Sequence, residues 1–247
     1  MKVSGVVALQ VLVSVARLVS GHSIEFGRCR SVAADPHFHP DELTGLWYVI
    51  EMFRTGSHCM TLTFARTAEG FTGTEVRELA AVRAIGLDHT VSNTGVFTIR
   101  SMDYPAVMKV RWPSVFIDKP AEVTVVDTDG DNFAVLYECQ TLWVFRRTSA
   151  VILSRTPTLP DDLLARIKED LVKMNIKVQK FDKIKHDEHC KTLGKADLNL
   201  DLNLLLRHVK ERWARRGGSG RGSGPVASPL VSPKRPPSSP RRPSKRN

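Results

Sequence analysis

Leu43-Thr44-Gly45-Leu46-Trp47-Tyr48 heads a region, reaching to about Arg155, in which apolar and polar residues alternate in short segments. Met60, Leu62 and Phe64 alternate with Thr61 and Thr63, the two-residue period of a half-buried strand. Gly70 and Gly73 punctuate the next turn, and a polar–apolar stretch from Thr74 to Val82 follows. Further on, Phe97 and Ile99 oppose Val96, Thr98 and Arg100, and Val110 and Trp112 alternate with Lys109 and Arg111. Val123 and Val125 precede a tight turn at Asp127-Thr128-Asp129-Gly130-Asp131, after which Phe133, Val135 and Tyr137 share one face. Strands this regular, joined by turn residues, make the chain mainly β, an up-and-down barrel or a sandwich.

The period changes after Pro157. Leu163, Leu164, Ile167, Leu171 and Met174 recur at helical spacing behind Asp161-Asp162, acids that suit a helix N-terminus, and Asn175 is its expected stop. One more strand is expected at 176–181. Beyond Cys190, Asp197-Leu198-Asn199-Leu200-Asp201-Leu202-Asn203-Leu204 is a small repeat, and Leu202, Leu206, Val209 and Trp213 form the apolar stripe of a basic amphipathic helix within 193–216. In residues 217–247, 19 of 31 are Gly, Pro or Ser, with 7 Lys/Arg and no acid or aromatic residue. Such a tail buries too little apolar surface to offset its ordering entropy, and disorder is expected.

The net charge of +10 belongs to that end. Residues 1–206 carry 24 Lys+Arg against 25 Asp+Glu, whereas residues 207–247 carry 12 against 1. The folded part is therefore near neutral, and no specific nucleic-acid binding follows from the basicity. Lys2, the apolar stretch from Val6 to Ala16 and the small residues near Val19-Ser20-Gly21 read as a signal peptide over 1–21, leaving a secreted, extracellular chain whose globular domain spans 22–192. Cys29, Cys59, Cys139 and Cys190 lie in no CxxC pair, which leaves zinc without local support; in an exported chain they read as two disulfides, with three pairings open.

Four stretches give the chain a family likeness. Phe26-Gly27-Arg28-Cys29 supplies an amino-terminal Gly-x-Cys, and Gly45-Leu46-Trp47 a Gly-x-Trp. Val126-Asp127-Thr128-Asp129 runs into Phe133-Ala134-Val135-Leu136-Tyr137-Glu138-Cys139, and Val151-Ile152-Leu153-Ser154-Arg155-Thr156-Pro157-Thr158-Leu159-Pro160 follows. In this order the last three resemble the three motifs of the lipocalin family, and the first the Gly-x-Cys of its branch of apolipoprotein D and the insect bilin-binding and Lazarillo-type lipocalins. The resemblance covers residues 27–190. It implies an eight-stranded antiparallel up-and-down barrel with one C-terminal helix packed outside. It also implies that Arg155 lies over the Trp47 indole at a closed floor, Gly45, Trp47, Thr128, Asp129 and Arg155 being structural. It selects Cys29–Cys139 and Cys59–Cys190 among the pairings, each bridge closing a long loop and contributing about 4–5 kcal/mol by chain entropy. Gly130 departs from the pattern, standing where the second motif usually carries Tyr.

A barrel closed at one end has room for a small ligand at the other. Alternation along the strands gives the candidate ligand-binding lining as Met60, Leu62, Phe64, Val110, Trp112, Val125, Tyr137, Val151 and Leu153, an apolar cup with few ionisable groups. The family correspondence places Phe64 and Trp112 where aromatic residues line the pocket. The implied function is binding and transport of a lipid, fatty acid, sterol, retinoid or bilin pigment, with no catalytic residues, no metal and no cofactor beyond such a ligand. His37 and His39 sit in a proline-rich loop without a third metal partner, and His58 is expected at the rim. Two alternatives stand beside this reading. One is a lipocalin-type isomerase, which needs a free pocket thiol. The other is an interaction protein acting through its basic tail on anionic membrane or another polyanion.

Overall fold

The computed structural model describes residues 21–79, 90–113, 119–188, 190 and 198–199. The expected signal peptide apart from Gly21, the expected amphipathic segment apart from 198–199, and the basic tail lie outside them. The described strands are β1 (Ser23–Phe26), β2 (Gly45–Phe53), β3 (Ser57–Thr67), β4 (Gly70–Leu79), β5 (Thr90–Ile99), β6 (Val107–Arg111), β7 (Ala121–Thr128), β8 (Phe133–Leu142), β9 (Phe145–Ser154), β10 (Phe181–Lys183) and β11 (Leu198–Asn199), with one α-helix, α1 (Asp161–Lys173). From β2 to β9 each strand pairs antiparallel with the next, and β9 returns to β2 with Leu153 opposite Val49. That pairing closes an eight-stranded barrel. Three short strands extend the edges: β1 along the upper half of β9, β10 along β2, and β11 parallel to β5.

Period-two alternation sorts side chains into two cores. Met60, Leu62 and Phe64 of β3 point inward with Phe71, Phe97, Met108, Val110, Val123, Val125, Leu136 and Leu153. The outer cluster joins Phe53, Val126, Phe133, Val135, Ala150 and Ile152 to Leu164, Ile167 and Leu171 of the helix. Burying each of those helical side chains contributes about 1.5–3 kcal/mol, which fixes α1 against the barrel wall. An ion pair adds to it: Lys168 Nζ donates to the buried Glu51 at 2.7 Å. Bulges at Val49/Glu51 and Val125/Asp127 shift the parity, so that β2 sends Met52 inward and Phe53 outward.

The helix stops where expected. Asn175 takes a left-handed φ of 59°, its N–H bonds Val172 O and the N–H of Ile176 bonds Leu171 O, the paired bonds of a Schellman cap. The strand expected at 176–181 is corrected. Ile176 is drawn into the outer cluster, a 3-10 turn occupies Val178–Lys180, and extended pairing begins only at Phe181.

Candidate functional site

The floor forms first from local chemistry. A 3-10 turn at Pro40–Leu43 crosses the bottom of the barrel, burying Pro40 and Leu43, and Trp47 Nε1 donates to Leu43 O at 2.8 Å. Arg155 lies 3.5 Å above the fully buried Trp47 ring. Its guanidinium donates to three carbonyls, those of Leu46 at 3.0 Å, Glu42 at 2.8 Å and Thr44 at 2.9 Å. Burial pushes the Arg155 pKa down, with Asp131 opposing, but an arginine stays charged. Gly45 is needed twice here: its φ is +101°, and a Cβ would stand 3.2 Å from Arg155 Nη1.

The β7–β8 turn braces the same end. Thr128 Oγ1 donates to Phe133 O at 2.7 Å and accepts from Gly130 N–H at 3.0 Å. Asp129 accepts from the backbone N–H groups of Asn132 and Phe133. Burial works to raise the Asp129 pKa, and these bonds outweigh it, holding the carboxyl below its usual value. Gly130 has a φ of +79° and would meet Glu42 with a Cβ at 3.2 Å, so this chain closes the turn with backbone where the family pattern has an aromatic ring.

Above the floor the barrel holds a cavity lined by Val49, Met52, Met60, Leu62, Glu75, Phe97, Trp112, Val123, Leu136, Glu138, Ser149, Ala150 and Val151. The space among these side chains is about 440 Å3 with its mouth included, of which about 40 Å3 admits the centre of a water-sized body. From Trp112 and Phe97 on its wall an aromatic ladder runs into the inner core through Phe64 to Phe71, with successive ring centres 5.6, 5.3 and 6.0 Å apart in edge-to-face contact. Two glycines make room for it. Gly73 and Gly95 face each other across β4 and β5; a Cβ at Gly73 would come within 2.6 Å of Phe97, and one at Gly95 within 2.8 Å of Trp112.

Trp112 is also held by polar contacts. Its Nε1 donates to Glu138 Oε2 at 3.0 Å, while Glu138 Oε1 accepts from Arg147 Nη2 at 2.8 Å and lies 3.3 Å from His22 Nε2. Burial raises the Glu138 pKa, but His22, Arg147 and Trp112 together bring it below the usual carboxylate value.

Of the lining expected from sequence, Met60, Leu62, Trp112 and Val151 stand on the cavity wall. Phe64, Val110, Val125 and Leu153 belong to the surrounding inner core. Tyr137 does not face inward: it packs against the outer cluster beneath the helix, and its neighbours Leu136 and Glu138 take the inward positions. The helix covers the outer face of β8, so both faces of that strand are apolar and alternation alone assigns it the wrong parity. The ionisable groups on the wall are Glu75 and Glu138, neither of which the sequence reading named. His37 and His39 are exposed, and His58 does not line the cavity. Among the described residues one cluster of potential metal ligands occurs, at Cys59, Asp187 and Cys190, and its sulfurs are joined to each other. The disulfides are Cys29–Cys139 and Cys59–Cys190, and no cysteine is free.

No protein-family profile matches the chain. Apolipoprotein D of Bos taurus is 28% identical over 179 residues, spanning 70% of this chain and 90% of the bovine protein. Apolipoprotein D of Oryctolagus cuniculus is 28% identical over 180 residues, with 70% and 89% covered. The chain is thus similar in sequence to apolipoprotein D and resembles the lipocalin family. Solved structures share the fold at lower identity. H1 crustacyanin from the lobster Homarus americanus superposes with a TM-score of 0.54 at 17% identity, covering 68% of this chain and 93% of the crustacyanin. Insecticyanin from the tobacco hornworm Manduca sexta gives a TM-score of 0.52 at 16% identity, with 71% and 94% covered.

Proposed function

We propose that this chain binds and carries a small hydrophobic molecule in extracellular fluid. The observation that carries the reading is the cup itself: an apolar cavity walled by Met60, Leu62, Phe97, Trp112, Leu136 and Val151 over a sealed floor. Burial of apolar surface supplies the affinity, at roughly 25 cal/mol per Å2 removed from water before the costs of ordering. The candidate occupants are lipids, sterols, retinoids, fatty acids and bilins. Any of these is larger than the free space, so an occupant displaces side chains, and Met52 and Met60 are unbranched residues suited to repacking. Two disulfides fit an oxidising compartment, which supports secretion.

The isomerase alternative needs a thiolate, and all four sulfurs are spent in disulfides. The tail alternative concerns residues outside those described, and the intact mass of the secreted protein tests whether that tail is retained. The test of the main reading is organic extraction of the secreted protein followed by mass spectrometry. An apolar compound recovered near one per protein is expected; recovery of none, together with no saturable binding of any apolar compound, overturns it.

A further inference from the structure

The polar atoms of the cup are almost all acceptors. Glu75 from β4 and Glu138 from β8 line the cavity together with Ser149, while the arginines that neutralise the two carboxylates, Arg77 and Arg147, do not stand on its wall. Arg77 Nε lies 3.2 Å from Glu75 Oε1, and both side chains are about nine-tenths buried. An apolar core gains nothing from such pairs, because their desolvation offsets their attraction. Two further acceptors on the same strand faces, neither of them on the cavity wall, have no partner. Asn93, directly across from Glu75 in the β4–β5 ladder and 8% exposed, leaves its Oδ1 unbonded. Gln140, two residues beyond Glu138 and 3% exposed, leaves its Oε1 unbonded while its amide donates to Lys119 O. A buried acceptor left unmet costs about 1–3 kcal/mol. One donor is also unspent, Arg147 Nε, directly across from Gln140 in the β8–β9 ladder, and the same guanidinium is committed to Glu138.

Taking the cup as the binding site, we propose that its occupant is an apolar molecule carrying a hydrogen-bond donor, an amine or a hydroxyl, and that a carboxylate of the same size is rejected. The donor end meets Glu75 or Glu138, and the apolar body lies on Phe97, Trp112 and Leu62. An ammonium gains additionally from the Trp112 face. A carboxylate head would bring no donor to either glutamate and would meet a like charge there, which costs several-fold to many-fold in affinity.

The test compares decan-1-amine, decan-1-ol and decanoate on the full secreted chain by titration calorimetry at neutral pH. The amine and the alcohol are expected to bind at least about tenfold tighter than decanoate. The paired variant Glu75→Gln with Arg77→Met, which removes both members of that ion pair and keeps an acceptor at position 75, is expected to lower amine affinity while leaving that of the alcohol nearly unchanged. Decanoate binding as tightly as the other two overturns the donor preference and leaves the cup intact as a site. Failure of all three to bind overturns the site itself.

Discussion

Replacing Arg155 by Met removes a cation from the face of Trp47 and three hydrogen bonds from the barrel floor, and retains an apolar stem over the indole. The cation–π contact, at 3.5 Å and partly desolvated, is worth about 2 kcal/mol. The bonds to the carbonyls of Leu46, Glu42 and Thr44 come from a charged donor, each worth about 1.5–3 kcal/mol in isolation. They are not additive, and Arg155 is half-buried, so water replaces part of what is lost. The expected loss is therefore about 3–4 kcal/mol, or roughly 10 °C in Tm for a domain of this size. Urea unfolding with the disulfides intact measures it, followed by Trp47 emission. Arg155→Lys keeps the charge without the planar fork and should recover less than half of the loss. Because the floor does not touch the cup, ligand affinity measured below the unfolding transition should be unchanged. A loss under about 1 kcal/mol would refute the argument, since hydration would then have replaced every contact.

Gly95→Ala places a Cβ against the Trp112 ring and should cost about 1–3 kcal/mol through overpacking, with weakened ligand binding; unchanged stability and affinity would show that the indole moves freely. Glu25 accepts from Lys177, Lys180 and Arg146, which hold its carboxyl far below the ordinary value of 4.5. A depressed carboxylate stabilises the fold above its unfolded pKa and ceases to as pH falls toward the folded one. Glu25→Gln should therefore be less stable than wild type near neutrality, and the gap should narrow as pH is lowered from about 5 to about 3. A gap independent of pH in urea-midpoint measurements counts against the cluster. Denatured, unreduced protein should show no thiol on titration, and any stoichiometric thiol contradicts the two-bridge assignment.

What could be read in the chain beforehand depends on whether a residue's chemistry or only its polarity marked its place. Gly45, Trp47 and Arg155 are distinctive residues in a fixed order, so the floor was legible. The helix was equally legible, since Leu164, Ile167 and Leu171 define one face and Asn175 one stop. In β3 the threonines between Met60, Leu62 and Phe64 show which face is inside. β8 offers no such contrast, because Val135 and Tyr137 meet the helix while Leu136 meets the cavity. In β4 the inward residues Gly73, Glu75 and Arg77 are as polar as the outward Thr72 and Thr74, and alternation says nothing about which set lines the cup. The one available hint was Glu138, a lone charge within an otherwise apolar segment from Phe133 to Cys139. Strands as short as β1 and β10 carry no period to detect; the free edges of β9 and β2 create them.

That the cup above Trp112 holds the ligand is tested most directly by tryptophan fluorescence under titration with decan-1-ol. Trp47 is sealed in the floor and Trp143 is 92% exposed on the β8–β9 turn, so among the described tryptophans Trp112 alone lines the cavity. A saturable one-to-one change is expected in the wild type. It should vanish in Trp112→Phe while calorimetry still registers binding. An equal change in Trp112→Phe, or a change that never saturates, would place the ligand elsewhere and contradict the assignment.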